Sequence, residues 1–271
     1  MRYSEVYAQY YDQLFPYKEK KEAFLLEQFS HISSGSSLLD IGCGTGAYTI
    51  ALQEADYEVI GIDLNPKMID LSREKAAQRN LDSSPRFKIL DMRDLDVLYS
   101  PSCFCGIYSL GNVLIHLTEV DDVEMVIKKI FKVLLPEGVL VLQIINFDRI
   151  LAEKEIKLPP ISDEDNNAEL NRRYRYDEAN EAVRFRSRIT VKVSQNQKQP
   201  SLQQRRGGNV LTEKKEEETY IRSEEVYPLT SPQLEDLLED AGFSEVNFIG
   251  DFHGNEFDPE GSRYLIVTAQ K

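Results

Sequence analysis

Leu38-Leu39-Asp40-Ile41-Gly42-Cys43-Gly44-Thr45-Gly46 joins an apolar run to a glycine-rich turn, and a helix-like segment follows it. In an open α/β fold, such a strand–turn–helix unit is where a nucleotide-type cofactor lies against backbone amides. The glycines fall at 42, 44 and 46, one residue tighter than the G-x-G-x-x-G spacing of dinucleotide sites, and Asp40 stands two residues before the first. A pyrophosphate is anionic and is held by helix N-terminal amides with no carboxylate beside them. A cofactor bearing an ammonium and a sulfonium is compatible with Asp40, so the pattern favours S-adenosylmethionine over NAD. Taken alone, the same glycines also suit a flexible turn between strand and helix, and the neighbouring runs decide between the two.

Tyr57-Glu58-Val59-Ile60-Gly61-Ile62-Asp63 is a short apolar run ending in an acid, as a second parallel strand would be after one intervening helix. Asp63 can chelate two ribose hydroxyls. Asn65-Pro66 reads as an N-cap followed by proline at the first helical position, which explains those two residues but not Asp63. A third run, Arg86 to Leu90, ends in Asp91-Met92-Arg93-Asp94, where a carboxylate can accept from an adenine amino group while Met92 packs on the ring.

On these motifs the chain resembles the class I S-adenosylmethionine-dependent methyltransferases, whose first motif runs acid, any, Gly, any, Gly, any, Gly and whose ribose-binding acid closes the second strand. Asp40, Gly42, Gly44, Gly46 and Asp63 match it position by position, and Cys105 to Leu110 and Leu134 to Val141 look like its fourth strand and the turn into its fifth. The resemblance covers roughly residues 1–147 and 228–271. It implies an α/β, Rossmann-like, mostly parallel seven-stranded sheet with helices on both faces, and S-adenosyl-L-methionine as cofactor. The cofactor-contacting set is then Tyr11, Asp40, Gly42, Cys43, Gly44, Gly46, Asp63, Leu64, Met68, Asp91, Met92 and Ser109. Gly111-Asn112-Val113-Leu114-Ile115-His116-Leu117 is similar to the segment after strand four of glycine and sarcosine N-methyltransferases, which suggests a small-molecule acceptor.

Composition narrows the class. A chain of 271 residues with 41% hydrophobic residues can bury a full core. Its formal charge of −14 argues against a nucleic-acid substrate, whose phosphates normally select a basic face. Cys43, Cys103 and Cys105 have neither the number nor the spacing of a disulfide framework or a zinc site, and read as thiols in a reducing cytoplasm. No metal is expected. The N-terminus lacks a signal-peptide pattern, and no apolar run nears the roughly 20 residues needed to span a bilayer. A soluble, cytoplasmic protein is the expectation.

Along the chain, Tyr3, Tyr7, Tyr10 or Tyr11 recur at helical spacing, either as the core-facing side of an amphipathic helix or as part of a lid. The resemblance implies that this segment folds over the cofactor, with Tyr11 at its methionine end and Tyr10-Tyr11-Asp12 resembling the family's Tyr-Asp pair. Strands near 37–42, 57–62, 86–90, 105–110 and 138–146 alternate with helices near 45–54, 66–80, 93–97 and 119–135, the pattern of a parallel sheet covered on both faces. After Asn146 the period changes to two. Arg172 to Tyr176, Val183 to Val191 and Glu217 to Tyr227 read as three antiparallel strands, with 193–212 a flexible hairpin loop. Residues 148–227 are therefore expected to be an antiparallel β insertion, a lid or a homodimer surface. Arg184, Arg186 and Arg188 share one face of it, which either binds an acceptor carboxylate together with Tyr174, Tyr176, Tyr220 and Arg222, or is a solvated face balanced by Glu216-Glu217-Glu218. The final helix, Ser231 to Ala241, starts at a Ser231-Pro232 cap and ends at Gly242. Two last strands, 244–248 and 263–270, form an antiparallel pair in the family.

Methyl transfer from a sulfonium is an in-line displacement on an activated carbon, so the protein mainly aligns the reactants in a dry pocket. A base is needed to keep an amine neutral or to take a proton from a hydroxyl. His116 is the candidate base, although a histidine in an apolar stretch is commonly a packed core residue. Asn112 is the candidate to bind an acceptor amine or carboxylate, or is a turn residue after Gly111. Three readings stay open: a small-molecule methyltransferase with an acceptor such as an amine, a non-catalytic S-adenosylmethionine-binding protein that acts by assembly, and an NAD-dependent oxidoreductase. The last lacks the looser glycine spacing and a Tyr-Lys or His pair.

Overall fold

The computed structural model describes residues 2–81, 86–165, 167–193 and 216–271. Two short helices, α1 (Tyr3–Gln9) and α2 (Tyr11–Leu14), precede α3 (Glu19–Gln28). Then β1 (Ser37–Ile41), α4 (Ala47–Glu54), β2 (Glu58–Asp63), α5 (Pro66–Gln78) and β3 (Phe87–Ile89) alternate. A 3-10 turn at Met92–Asp94 leads through α6 (Leu95–Leu98) to β4 (Phe104–Ser109), and a second at Leu114–His116 leads to α7 (Val120–Val133) and β5 (Leu134–Ile145). The chain then forms α8 (Phe147–Glu153), β6 (Glu155–Ser162), β7 (Ala168–Asp177), β8 (Ala182–Val193) and β9 (Glu216–Val226). It closes with α9 (Ser231–Ala241), β10 (Ser244–Ile249) and β11 (Tyr264–Gln270).

The larger sheet has the order β10-β11-β5-β4-β1-β2-β3, and every pairing in it is parallel except those of β11, which runs antiparallel to both neighbours. The chain moves outward from β1 to β3 and then returns to β4 on the other side of β1. That reversal leaves a crevice outside the carboxyl ends of β1 and β4, the switch point at which open α/β sheets bind ligands.

Both faces are covered, for reasons visible in the side chains. α7 buries Val123, Val126, Ile127, Ile130 and Val133, an i, i+3, i+4, i+7 stripe, and each fully buried aliphatic of this kind stabilises by roughly 1.5–3 kcal/mol. On the opposite face Phe24 and Leu25 of α3, with Phe29 at its C-cap, pack against Leu38, Tyr108, Val141 and Ile266. Asn65 caps α5 by accepting from Lys67 N, with Pro66 following. The cap of α9 lies one residue earlier than the Ser-Pro reading: Thr230 and Gln233 form a capping box, while Ser231 N–H donates to Asp148. β5 likewise starts earlier, at Leu134, with a register shift opposite Phe104–Gly106 where a turn was expected.

The second sheet has four antiparallel strands, β6-β7-β8-β9, one more than the three that period-two alternation marks. The additional strand, β6, pairs only with β7 and carries Pro159 and Pro160, both exposed, at a register shift between Leu158 and Ile161. Prolines are tolerated on an edge strand at such a bulge, and they hide the strand from period-two reading. Of the loop expected over 193–212, Val193 ends β8 instead and the rest lies outside the described residues. On the inner face of this sheet Ala168, Leu170, Ile189 and Val191 form a separate small core with Val6 and Leu14, so α1 and α2 rest on the second sheet. Among the described residues no helix is long and apolar enough to cross a membrane.

Candidate active site

A cavity of about 960 Å³ opens at the switch point. Its floor is Asp40 of β1, Gly42 and Cys43 after it, Leu110 to Asn112 after β4, and Gln143 of β5. Its roof is Tyr3, Tyr7, Tyr11 and Phe15, and its far wall is Arg172, Tyr174, Phe185, Ser187 and Arg222 from the second sheet. The roof aromatics recur every fourth residue and touch in series. The Tyr3–Tyr7 rings are 5.6 Å apart, Tyr7–Tyr11 5.5 Å and Tyr11–Phe15 5.2 Å. The chain breaks helix at Tyr10, yet the row continues into α2. Asp12 fastens the roof to the glycine turn: it accepts from Thr45 Oγ1 at 2.6 Å and from Lys75 Nζ at 2.9 Å.

The glycine turn is shaped by left-handed backbone. Gly42, Gly44 and Gly46 all have positive φ. A Cβ on Gly42 would lie 2.3 Å from Val113 Cγ2, and one on Gly46 would lie 2.8 Å from the Phe87 ring, so Gly46 is the point where α4 closes on β3 and α5. Gly44 faces the Tyr11 ring, and its N–H donates to Asp63 Oδ2 at 3.0 Å.

Asp40 is 4% exposed. Burial pushes its pKa up to about 7, against hydrogen bonding from Thr49 and the Tyr108 hydroxyl, with Asp63 pushing it further up. Thr49 Oγ1 donates to Asp40 at 2.6 Å, while Tyr108 Oη lies buried without an aligned hydrogen bond. Asp63, too, is raised by burial more than the Asn65 and Gly44 amides lower it.

The residues read from the sequence separate into groups. Tyr11, Asp40, Gly42, Cys43, Asn112 and His116 line the cavity. Asp63 and exposed Leu64 lie beyond its lining, at the end of β2. Met68 is buried in α5. Asp91 caps the 3-10 turn and forms a salt bridge with Arg93 at 2.7 Å, while Met92 packs partly buried against the main core. Ser109 Oγ donates to Ile41 O and ties β4 to β1.

Asn112 sits in left-handed conformation, its side chain accepting from Gln143 Nε2 at 3.2 Å, and Gln143 Oε1 in turn accepts from Gly111 N at 2.8 Å. Gln143 was not foreseen, because its place depends on β5 lying beside β4. His116 is partly exposed rather than core, and its Nδ1 lies 3.3 Å from Glu224 Oε1 on β9. Burial raises the Glu224 pKa, but His116 and Arg222 outweigh it and hold the carboxyl below its usual range. No local signal could have paired residues over a hundred positions apart.

The arginine face also needs correction. Register pairs Ser187 with Arg172 and Arg222, Phe185 with Tyr174 and Ile189 with Tyr220, so these residues share the inner face. Arg184, Arg186 and Arg188 are exposed on the other. Arg184 is balanced by Glu225 at 3.3 Å, whereas Glu216 to Glu218 lie across from Val191 to Val193, past the arginines.

The donor set suits a cationic cofactor. Two carboxylates flank the glycine turn, and the nearby Lys75 is already held by Asp12 and Thr45. That is the wrong sign for a pyrophosphate and the right one for S-adenosylmethionine, whose ammonium and sulfonium would offset the cost of the buried Asp40.

Comparison with known proteins agrees. Residues 38–138 match a family model described as a methyltransferase domain. The demethylmenaquinone methyltransferase of Lactobacillus johnsonii is 36% identical over 110 residues, covering 40% of this chain and 43% of that protein. The glycine/sarcosine N-methyltransferase of Parasynechococcus marenigrum is 30% identical over 152 residues, 55% of this chain and 52% of that one. The chain thus spans about half the length of the curated relatives it matches. A crystal structure of a S-adenosylmethionine-dependent methyltransferase from Clostridium acetobutylicum superposes with a TM-score of 0.72 at 15% identity, covering 98% of each chain. Residues 38–138 thus match a methyltransferase domain, and the whole chain shares the fold of a solved S-adenosylmethionine-dependent methyltransferase.

Proposed function

We propose that this protein transfers a methyl group from S-adenosylmethionine to a small-molecule acceptor, at an amine nitrogen, by in-line displacement. The observation that carries the reading is that Asp40 and His116 line one cavity, with Glu224 standing 3.3 Å behind the His116 imidazole. When bound, S-adenosylmethionine supplies a methyl carbon already activated by its sulfonium. Asp40 and Tyr11 would hold the methionine end of the cofactor, and Asp63 its ribose. Both Asp91 carboxylate oxygens accept from Arg93, so adenine would rest mainly on Leu64 and Met92.

His116 would keep the acceptor nitrogen neutral by holding its proton at the imidazole, and Glu224 would orient and charge-stabilise that imidazole. Asn112, braced by Gln143, would place the acceptor. The Tyr3–Tyr7–Tyr11–Phe15 row and the inner face of the second sheet would exclude water, the role of a lid over residues 148–227. A cavity of about 960 Å³ is roomy for a cofactor end plus a small acceptor, which favours turnover over the non-catalytic reading.

The test is incubation with methyl-labelled S-adenosylmethionine and parallel sets of small amines, phenols and alcohols. Label in the amines alone is the expected result. Label only in the hydroxyl compounds would reject the nitrogen assignment, and cofactor binding with no label in any set would favour the non-catalytic reading.

A further inference from the structure

Arg172 stands on β7 opposite Ser187, on the inner face of the second sheet, and lines the cavity. Its Nε and Nη2 are buried and have no hydrogen-bond partner among the described residues. A guanidinium removed from water without a partner is costly, and proteins ordinarily pair it with a carboxylate. This chain has 46 acidic residues against 32 Lys and Arg, so acids are not scarce. Glu224, on β9 of the same sheet, is engaged with Arg222 through Oε2 and lies beside His116. Phe15 covers the guanidinium, its ring centroid 5.4 Å from Cζ, and a stacked ring occupies the face while leaving the in-plane N–H donors unused.

Arg263 lines the same cavity, stacked on Tyr264 at 5.1 Å, and forms no ion pair among the described residues. The two cations feel each other, and burial together with Arg263 pulls the Arg172 pKa down.

From these unpaired donors we infer that the acceptor is bifunctional: beside the atom that is methylated it carries an oxyanion group, carboxylate or phosphoryl, that seats on the Arg172 fork with Arg263 adding charge. The inference rests on the proposed methyltransferase function and specifies its substrate class. Planar N–H pairs match two oxygens of either group, so the shared chemistry is an oxyanion. In this account Arg172 is a specificity residue on the wall opposite the glycine turn.

The test uses the full chain. Thermal unfolding is followed by far-UV circular dichroism while acetate, inorganic phosphate or pyrophosphate is titrated against sodium chloride of equal ionic strength. S-adenosylhomocysteine binding is measured on the same preparations by calorimetry. At least one oxyanion should give a saturable rise in Tm that chloride does not reproduce. The response should persist in Arg186→Met, on the opposite face, and its midpoint should move at least tenfold higher in Arg172→Met. Arg172→Lys keeps charge without the fork and should move it at least threefold, which supplies the comparison if the methionine variant does not fold. A response to acetate alone assigns a carboxylate; a response to phosphate or pyrophosphate assigns a phosphoryl group.

An unchanged midpoint in both Arg172 variants, or no response beyond chloride in the wild type, overturns the inference. Failure to bind S-adenosylhomocysteine overturns the proposed function instead, since the anion titration is read without it.

Discussion

Replacing Asp40 by Asn removes a buried charge while leaving an acceptor for the Thr49 hydroxyl. Asp40 has its pKa raised from 3.8 to about 7, chiefly by burial, and at 4% exposure solvent screens it little. Its folded pKa lies above the unfolded one, so between these values the native state holds a proton that the unfolded chain has lost. Stability therefore falls as pH rises through that window and levels off above about 7. Each pKa unit corresponds to about 1.4 kcal/mol, so the wild type should lose about 3 kcal/mol from this group between pH 5 and pH 8, an order-of-magnitude figure. Asp40→Asn lacks that term. Urea unfolding read by far-UV circular dichroism suits a chain with no tryptophan, and the stability of Asp40→Asn relative to wild type should climb by about 3 kcal/mol across that pH range. The same variant should bind S-adenosylmethionine at least about tenfold more weakly, through loss of a charge-assisted contact. A stability difference that stays flat from pH 5 to pH 8 would mean that Asp40 does not titrate with a raised pKa in the folded protein.

His116→Asn should lower kcat by about 10²-fold or more with a smaller change in KM, as expected on removing a general base. Glu224→Gln should be milder, lowering kcat by less than His116→Asn does; an unchanged kcat would detach Glu224 from the chemistry. Gly46→Ala forces a side chain into a left-handed position 2.8 Å from the Phe87 ring, and should destabilise by about 2–5 kcal/mol as strain and overpacking combine. Thermal unfolding checks that figure, and a loss under about 1 kcal/mol would show that α4 can shift away from β3.

The parts legible in the sequence are those where the information is local. Leu38 to Gly46 carries its own strand, turn and helix start, and Asn65-Pro66 carries a cap, so the order of β1, α4, β2 and α5 follows from short-range pattern. The alternation of Val183 to Val191 separates its two faces correctly. What failed depends on register between distant segments. The arginine triplet could not be assigned its neighbours until β7 and β9 were paired to β8, and that pairing puts Tyr174 and Arg222 on the opposite face. β6 was hidden by Pro159 and Pro160, which only an edge position permits. The partners of His116 and Asn112, Glu224 and Gln143, come from a different sheet and a neighbouring strand, and that Arg172 Nε and Nη2 have no hydrogen-bond partner among the described residues is a property of the assembled wall.

The central claim is that the glycine turn between Asp40 and Asp63 holds S-adenosylmethionine. It is tested most directly by calorimetric titration of the purified chain and of Asp63→Ala with S-adenosylmethionine and S-adenosylhomocysteine, with NAD as control. The wild type should bind both sulfur compounds at micromolar Kd, Asp63→Ala at least about tenfold more weakly because paired ribose contacts are lost, and neither should bind NAD. Folded protein that binds neither sulfur compound, or binds them equally well without Asp63, would contradict it.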